Sequence, residues 1–210
     1  MNKIDSSIYN GLNLYPMDLG GWNGNSEVFG RLVSEIKPTT IIEVGSWKGQ
    51  SAINMGKAVQ RLGLPTKIHC VDTWLGANEF WTRLSNSTER DLILKNGYPQ
   101  IYYQFLSNVV HNRLQNVILP FPNTSENGFR YFEYNNVMAE MIYIDASHEE
   151  DDVYKDITNY WNLLKTGGVM FGDDYINNWP GVVKSVNRFA EENNLIVNVL
   201  ENNFWVINKN

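Results

Sequence analysis

The chain has 210 residues, 43% hydrophobic and 19% charged, with a formal net charge of -6 and one cysteine, Cys70; such a length folds on one core without disulfides or a structural metal. Its 17 Lys and Arg form no dense run, which excludes the basic face that nucleic-acid binding needs, and no stretch approaches the roughly 20 apolar residues of a membrane span. Met1 to Tyr9 carries no apolar core of signal-peptide type, so the expectation is one cytoplasmic domain over residues 1–210, with 1–37 as an N-terminal lid or helical segment and neither nucleic acid nor membrane as partner.

Taken in chain order, the first helix is Ser26–Ile36, apolar at Val28, Phe29, Leu32, Val33 and Ile36 and ended by Pro38. A strand at Thr40–Gly45 leads into a helix over Ser51–Leu62, and a second strand follows at Lys67–Asp72. The stretch Leu75–Gln100, with Phe80, Trp81, Arg83 and Arg90, is too long for a plain connection. It reads as an inserted covering loop, or else as a surface helix packed on the core. Beyond it lie a helix over Ile101–Leu114 and strands at Asn116–Phe121 and Met141–Asp145. A helix over Asp151–Leu164, opened by acids and stopped at Gly167-Gly168, precedes a strand at Gly168–Gly172. The last helix is Val182–Glu192, and strands Leu195–Leu200 and Phe204–Ile207 close the chain around the turn Glu201-Asn202-Asn203. Strands alternating with helices predict an α/β fold: a doubly wound, Rossmann-like, seven-stranded, mostly parallel sheet with an antiparallel C-terminal hairpin.

The run Ile41-Ile42-Glu43-Val44-Gly45-Ser46-Trp47-Lys48-Gly49-Gln50-Ser51 reads strand, tight turn, helix. Gly45 and Gly49 allow sharp turning and close approach, and the following helix presents free N–H groups. The dinucleotide pattern G-x-G-x-x-G is absent. Glu43 at the strand end repels a pyrophosphate and suits a cationic head, such as the aminoacyl and sulfonium end of S-adenosylmethionine. The second strand ends in Asp72, placed to accept hydrogen bonds from ribose hydroxyls, with Trp74 just after it as a surface for adenine. The structural alternatives are a turn cap for Asp72 and a core aromatic for Trp74.

Two further strands end in acids, Met141-Ile142-Tyr143-Ile144-Asp145-Ala146-Ser147-His148 and Gly168-Val169-Met170-Phe171-Gly172-Asp173-Asp174-Tyr175. Neighbouring parallel strands would bring Asp145, Asp173 and Asp174 together, and three such charges repel unless a cation or proton shares the site. Hard oxygen ligands describe a Mg²⁺-type site better than a zinc site. His148 is the candidate general base. The acids Glu149, Glu150, Asp151 and Asp152 read as first-turn residues favoured by the helix dipole.

With Glu43 to Gly49, Val71 to Gly76, Ile144 to His148 and Gly167 to Tyr175 in view, the chain resembles class I S-adenosylmethionine-dependent methyltransferases. Within them it is similar to the branch of metal-dependent macrolide- and aminocoumarin-sugar O-methyltransferases. That resemblance implies cofactor contacts from Glu43, Gly45, Ser46, Gly49, Ser51 and Asp72, an adenine contact at Ser125, and metal ligation by Asp145, Asp173 and Asp174. Asn123 and Thr124 stand where the family often carries an acid, and Ser147 stands where the sugar enzymes tend to carry a second one, so the base role falls to His148. The implied activity is O-methylation of a hydroxyl on a small molecule or sugar. A catalytically silent binding scaffold and a hydroxylase on the same fold stay open, as does homo-oligomerisation through the aromatic N-terminal segment of Tyr9, Tyr15 and Trp22.

Overall fold

Strand side chains alternate between two faces, and both faces of this sheet are covered. The computed structural model describes residues 5–82 and 91–210. Its sheet contains β1 (Thr40–Val44), β2 (Lys67–Asp72), β3 (Ile118–Pro122), β4 (Ala139–Ile144), β5 (Leu164–Gly172), β6 (Asn198–Leu200) and β7 (Phe204–Asn208). Their order is β3-β2-β1-β4-β5-β7-β6. The first five strands pair in parallel, and β7 runs antiparallel to both β5 and β6. This is the expected doubly wound sheet with its C-terminal hairpin. The helices are α1 (Glu27–Ile36), α2 (Gln50–Arg61), a short α3 (Asn78–Thr82), α4 (Ile101–His111), α5 (Ser125–Tyr134), α6 (Glu150–Trp161) and α7 (Pro180–Glu192). Among the described residues no helix is long and apolar enough to cross a membrane. Arg83 and Arg90 of the expected covering loop lie outside the described residues.

Ile41, Met141, Tyr143, Val169, Phe171, Phe204 and Val206 face the layer of α1, α2 and α4. Their neighbours Ile42, Val44, Ile142, Ile144, Met170, Trp205 and Ile207 face α5, α6 and α7. Such continuous apolar runs are what a sheet buried on both sides requires. The stripe of α1, with Val28, Phe29, Leu32 and Val33 buried, makes this helix part of the core.

Among the boundaries that differ from the sequence reading, three have a visible structural cause. The helix expected over Asp151–Leu164 ends at Trp161, and β5 starts at Leu164 rather than Gly168. Leu164 pairs with Ala139 before the register shifts, and Gly167 at φ +79° takes up the irregularity. The glycine pair is thus a bulge inside a strand, not a helix stop. Leu195 belongs to the end of α7, where its N–H reaches the Ala190 carbonyl at 2.8 Å, so β6 begins only at Asn198. The helix α5 was not expected, because it buries only Gly128 and Phe132 and shows little apolar period; Thr124 caps it by accepting from the Asn127 N–H.

The N-terminal segment is strapped along α4. Gln104, Ser107, Asn108 and His111 form a polar stripe at helical spacing, and all four bond the strap: Gln104 Nε2 to Pro16 O, Tyr15 N to Ser107 Oγ, Asp18 N to Asn108 Oδ1, and His111 Nε2 to Tyr15 O. Asn108 also donates from Nδ2 to Asp18 O at 2.6 Å and to Lys48 O at 2.8 Å. One fully buried amide therefore ties the strap to the turn after β1. Lys48 repeats the link with an ion pair to Asp18 at 2.7 Å.

Below that turn lies Glu43, on the α2 face of β1 and fully buried. It accepts from Ser46 Oγ at 2.6 Å and Ser51 Oγ at 2.5 Å, joining the strand end to the turn and to the first residues of α2. Burial pushes its pKa up to about 7 against the help of those hydroxyls.

Asn108→Ala leaves the Lys48 carbonyl buried without its donor, and should lower the unfolding free energy by about 2–4 kcal/mol in a denaturant titration. For Glu43 the folded protein holds a proton that the unfolded chain has already lost, so its contribution to stability falls as pH rises from about 4.5 to about 7. Denaturant titrations at pH 5 and pH 7 should show that Glu43→Gln flattens this decline, by up to about 3 kcal/mol over the window.

Candidate active site

The sheet order reverses between β1 and β4, since β1 leads outward to β2 and β3 while β4 returns on its other side. A crevice opens beyond the carboxyl ends of the strands at such a point. Here it is a cavity of about 820 Å³. Gly45 stands at its base with φ +85°, and a Cβ there would lie 2.0 Å from the Asp145 carbonyl. Gly49, at φ +86°, would bring a Cβ to 2.8 Å from the Phe105 ring. Both glycines are demanded by protein packing, which brings the turn hard against the end of β4 and the side of α4.

Of the residues expected to meet a cofactor, Gly45, Ser46, Ser51, Asp72, Trp74 and Ser125 line the cavity, whereas Glu43 and Gly49 stand behind its wall. Glu43 is therefore a brace for the turn and not an open counter-charge. Asp72 Oδ2 accepts from Ser46 N at 2.9 Å and Trp47 N at 2.8 Å, and Oδ1 accepts from Trp74 N at 2.7 Å. Three of its roughly four lone pairs are occupied by the loop it organises. Trp74 is 2% exposed, packs its ring on Tyr102 and Phe105 at 4.9 Å each, and donates from Nε1 to Trp47 O at 2.7 Å. The ring is a core strut, held there by its aromatic neighbours and its bonded nitrogen, rather than a free surface for a base.

At the ends of β4 and β5 the acids converge, with one change of membership. Ligand atoms of Asp145, His148 and Asp174 lie within 4.8 Å of one another. His148 Nε2 is 2.9 Å from Asp174 Oδ2, and the Tyr143 hydroxyl donates to Asp145 Oδ2 at 2.8 Å. Asp173 turns away. Its Oδ1 accepts from the Asp174 N–H at 2.7 Å and from the side-chain amides of Asn203 and Asn23. Burial raises the pKa of Asp145, with the Asp174 charge adding to the effect; burial and then the Asp145 charge do the same for Asp173. Trp179 stacks on His148 with centroids 3.9 Å apart and planes at 21°, fixing the imidazole plane.

Aromatic rings from three distant segments cover this floor. Trp22 of the strap, Trp47 of the turn and Phe80 of α3 stack with centroid distances of 5.5, 5.7 and 6.4 Å. The wall also includes Ser125 at the start of α5 and Asp152 and Asp156 of α6. The sequence reading placed Phe80 in an expected covering loop and Trp22 in the N-terminal segment, but missed Trp179 and Asp156 as site residues. Only Asp156 left a readable signal, an acid breaking the apolar stripe of Val153, Ile157 and Tyr160.

Comparison with known proteins follows this geometry. No curated protein matches the chain in sequence. Solved structures match it in fold: an O-methyltransferase from Bacillus cereus bound to SAH (TM-score 0.60, 15% identity, covering 97% of this chain and 88% of the other); the O-methyltransferase TomG from Streptomyces achromogenes, involved in tomaymycin synthesis, bound to SAM (0.61, 13%, 97% and 86%); and a calicheamicin methyltransferase (0.61, 16%, 87% and 76%). A family model described as a methyltransferase domain matches residues 42–175, from β1 through both acid-bearing strand ends. The chain therefore belongs to the methyltransferase domain family.

Proposed function

We propose that the protein methylates a hydroxyl of a small molecule or sugar, with S-adenosylmethionine as donor, His148 as base and a Mg²⁺-type cation as aid. The observation that carries this reading is the meeting of Asp145, His148 and Asp174 in the same cavity that the turn from Gly45 to Ser51 lines. The fold likenesses named above include proteins bound to SAH and SAM and one acting in tomaymycin synthesis, which supports a small-molecule acceptor.

The donor set fits a hard divalent cation: Asp145 and Asp174 supply carboxylate oxygens, and both pKa causes at Asp145, burial and a like charge, are relieved by a cation. Such an ion would be held by those two acids, and when bound it lowers the pKa of an acceptor hydroxyl. S-adenosylmethionine, when bound, supplies an electrophilic methyl whose C–S bond breaks with the electron pair remaining on sulfur. The chain's own part is to orient, to dry and to take a proton. The acceptor O–H bond breaks as its proton passes to the other imidazole nitrogen of His148, Nδ1, and the imidazolium so formed is stabilised by Asp174 Oδ2, which accepts from Nε2. Trp179 holds the ring plane during that transfer. The cover of Trp22, Trp47 and Phe80 excludes water that would compete for the methyl.

His148→Gln should lower kcat about 10²–10⁴-fold in a steady-state methylation assay, while SAH affinity measured by calorimetry stays within about threefold of wild type. Removing metal with EDTA should abolish turnover, and added Mg²⁺ should restore it. Product mass decides between the remaining chemistries: a gain of one CH₂ supports this reading. A gain of one oxygen, or SAH binding with no product from any hydroxylated acceptor, defeats it.

A further inference from the structure

Tyr143 stands inside the sheet, paired in register with Glu43 of β1 on one side and with Phe171 of β5 on the other. Its ring is 1% exposed, meets Phe29 of α1 edge-on at 5.0 Å, and tilts against Phe171 at 4.9 Å. These contacts ask only for a ring. Phenylalanine would make them without burying a polar atom, whereas a buried phenol costs stability unless its hydroxyl finds a partner. The Tyr143 hydroxyl has one, since it donates to Asp145 Oδ2 at 2.8 Å.

Sequence spacing makes that bond possible. Residues two apart on a strand point to the same side. The strand β4 ends at Ile144, so Asp145 stands just past it, in the cavity wall with His148 and Asp174. A carboxylate at a strand end turns about its side-chain bonds unless a neighbour fixes one of its oxygens. Tyr143 supplies that neighbour from behind the wall, and its own place is set by two strand pairings and two aromatic contacts. Burial, and then the charges of Asp145 and Asp173, raise the pKa of the phenol well above its ordinary value, so it is present as a donor. Asp174, the other acid of the cluster, is fixed by separate bonds, its N–H to Asp173 Oδ1 at 2.7 Å and its Oδ2 to His148 Nε2 at 2.9 Å.

We propose that Tyr143 is a positioning residue for the divalent cation, its hydroxyl holding Asp145 in the orientation in which this carboxylate and Asp174 take the ion. This rests on the cation reading above and deepens it. Hydrogen-bond partners of a ligating carboxylate orient it, and losing one typically weakens metal binding about 10–100-fold. The part played by Tyr143 is confined to that orientation, for it moves no proton in the transfer described above.

Titration of the SAH-saturated protein with Mn²⁺, followed by the EPR signal of the free aquo ion, reads this site without turnover. Tyr143→Phe keeps the ring and removes only the hydroxyl. It should weaken Mn²⁺ binding about tenfold or more, while SAH affinity by calorimetry stays within about threefold of wild type. Tyr143→Met, a flexible apolar replacement, is a second variant without the hydroxyl and should weaken Mn²⁺ binding likewise; thermal unfolding checks that each variant is folded. Phe29→Leu disturbs the packing on the same ring but keeps the hydroxyl, and should leave Mn²⁺ affinity at the wild-type level. Unchanged Mn²⁺ affinity in either folded variant without the hydroxyl overturns the assignment. An equal loss in Phe29→Leu overturns it too, because packing alone then accounts for the effect. Wild type that binds SAH but no Mn²⁺ overturns the cation reading itself, and so is distinct from a failure at Tyr143.

Discussion

Gly45 can have no side chain because the carbonyl of Asp145 occupies the space where its Cβ would be, 2.0 Å away. That contact lies where β1 and β4, neighbours in the sheet but distant in sequence, end side by side. The Asp145 N–H reaches Val44 O at 2.8 Å, and the Gly45 N–H reaches Val71 O at 2.8 Å, so the last bonds of the ladders pass through this one point. Everything functional is measured from it. The turn after β1 departs in one direction, the acid at the end of β4 in the other, and the cavity opens between them. A glycine read from sequence as room for a ligand is first of all room for the backbone of the next strand.

From this junction follows an electrostatic problem, since parallel strands collect their terminal acids along one edge. The molecule resolves most of these charges internally. Glu43 is bonded by two hydroxyls beneath the turn, Asp72 accepts three backbone N–H groups, and Asp173 is taken up by one backbone N–H and two side-chain amides. Each of these acids is spent on building the loops. Asp145, His148 and Asp174 stand close together in the cavity wall, where Asp152 and Asp156 also lie. The site is defined by the acids that the fold does not neutralise.

This explains how far the sequence could be read. The mostly parallel sheet and the hairpin were legible, because buried parallel strands leave long apolar runs and Glu201-Asn202-Asn203 supplies two positive φ values for the turn. The acids at the strand ends were legible by position. Their orientation was not: whether Glu43 meets a ligand or two serines depends on which face of β1 it occupies, and whether Asp173 or His148 joins the cluster depends on the left-handed Asp174, at φ 62°. Trp74 was ambiguous for the same reason, and the neighbours that settle it, Tyr102 and Phe105, are about 30 residues away on another helix. Contacts across such distances have no local signature.

The aromatic cover shows how the two halves of the site are joined. Trp22, Trp47 and Phe80 come from the strap, the turn and α3; Trp47 and Phe80 also rest against the core, whereas Trp22 is 63% exposed. The strap that carries Trp22 is held to the turn by Asn108, which bonds Asp18 and Lys48 with one amide group. Asn23, next to Trp22, reaches Asp173 on the acidic side. The turn after β1 and the strap are consequently tied to one another. A shift of the strap would move Trp22 away from Trp47 and Asn23 away from Asp173 at the same time, so the aromatic stack and the order of the acidic strand ends cannot vary independently.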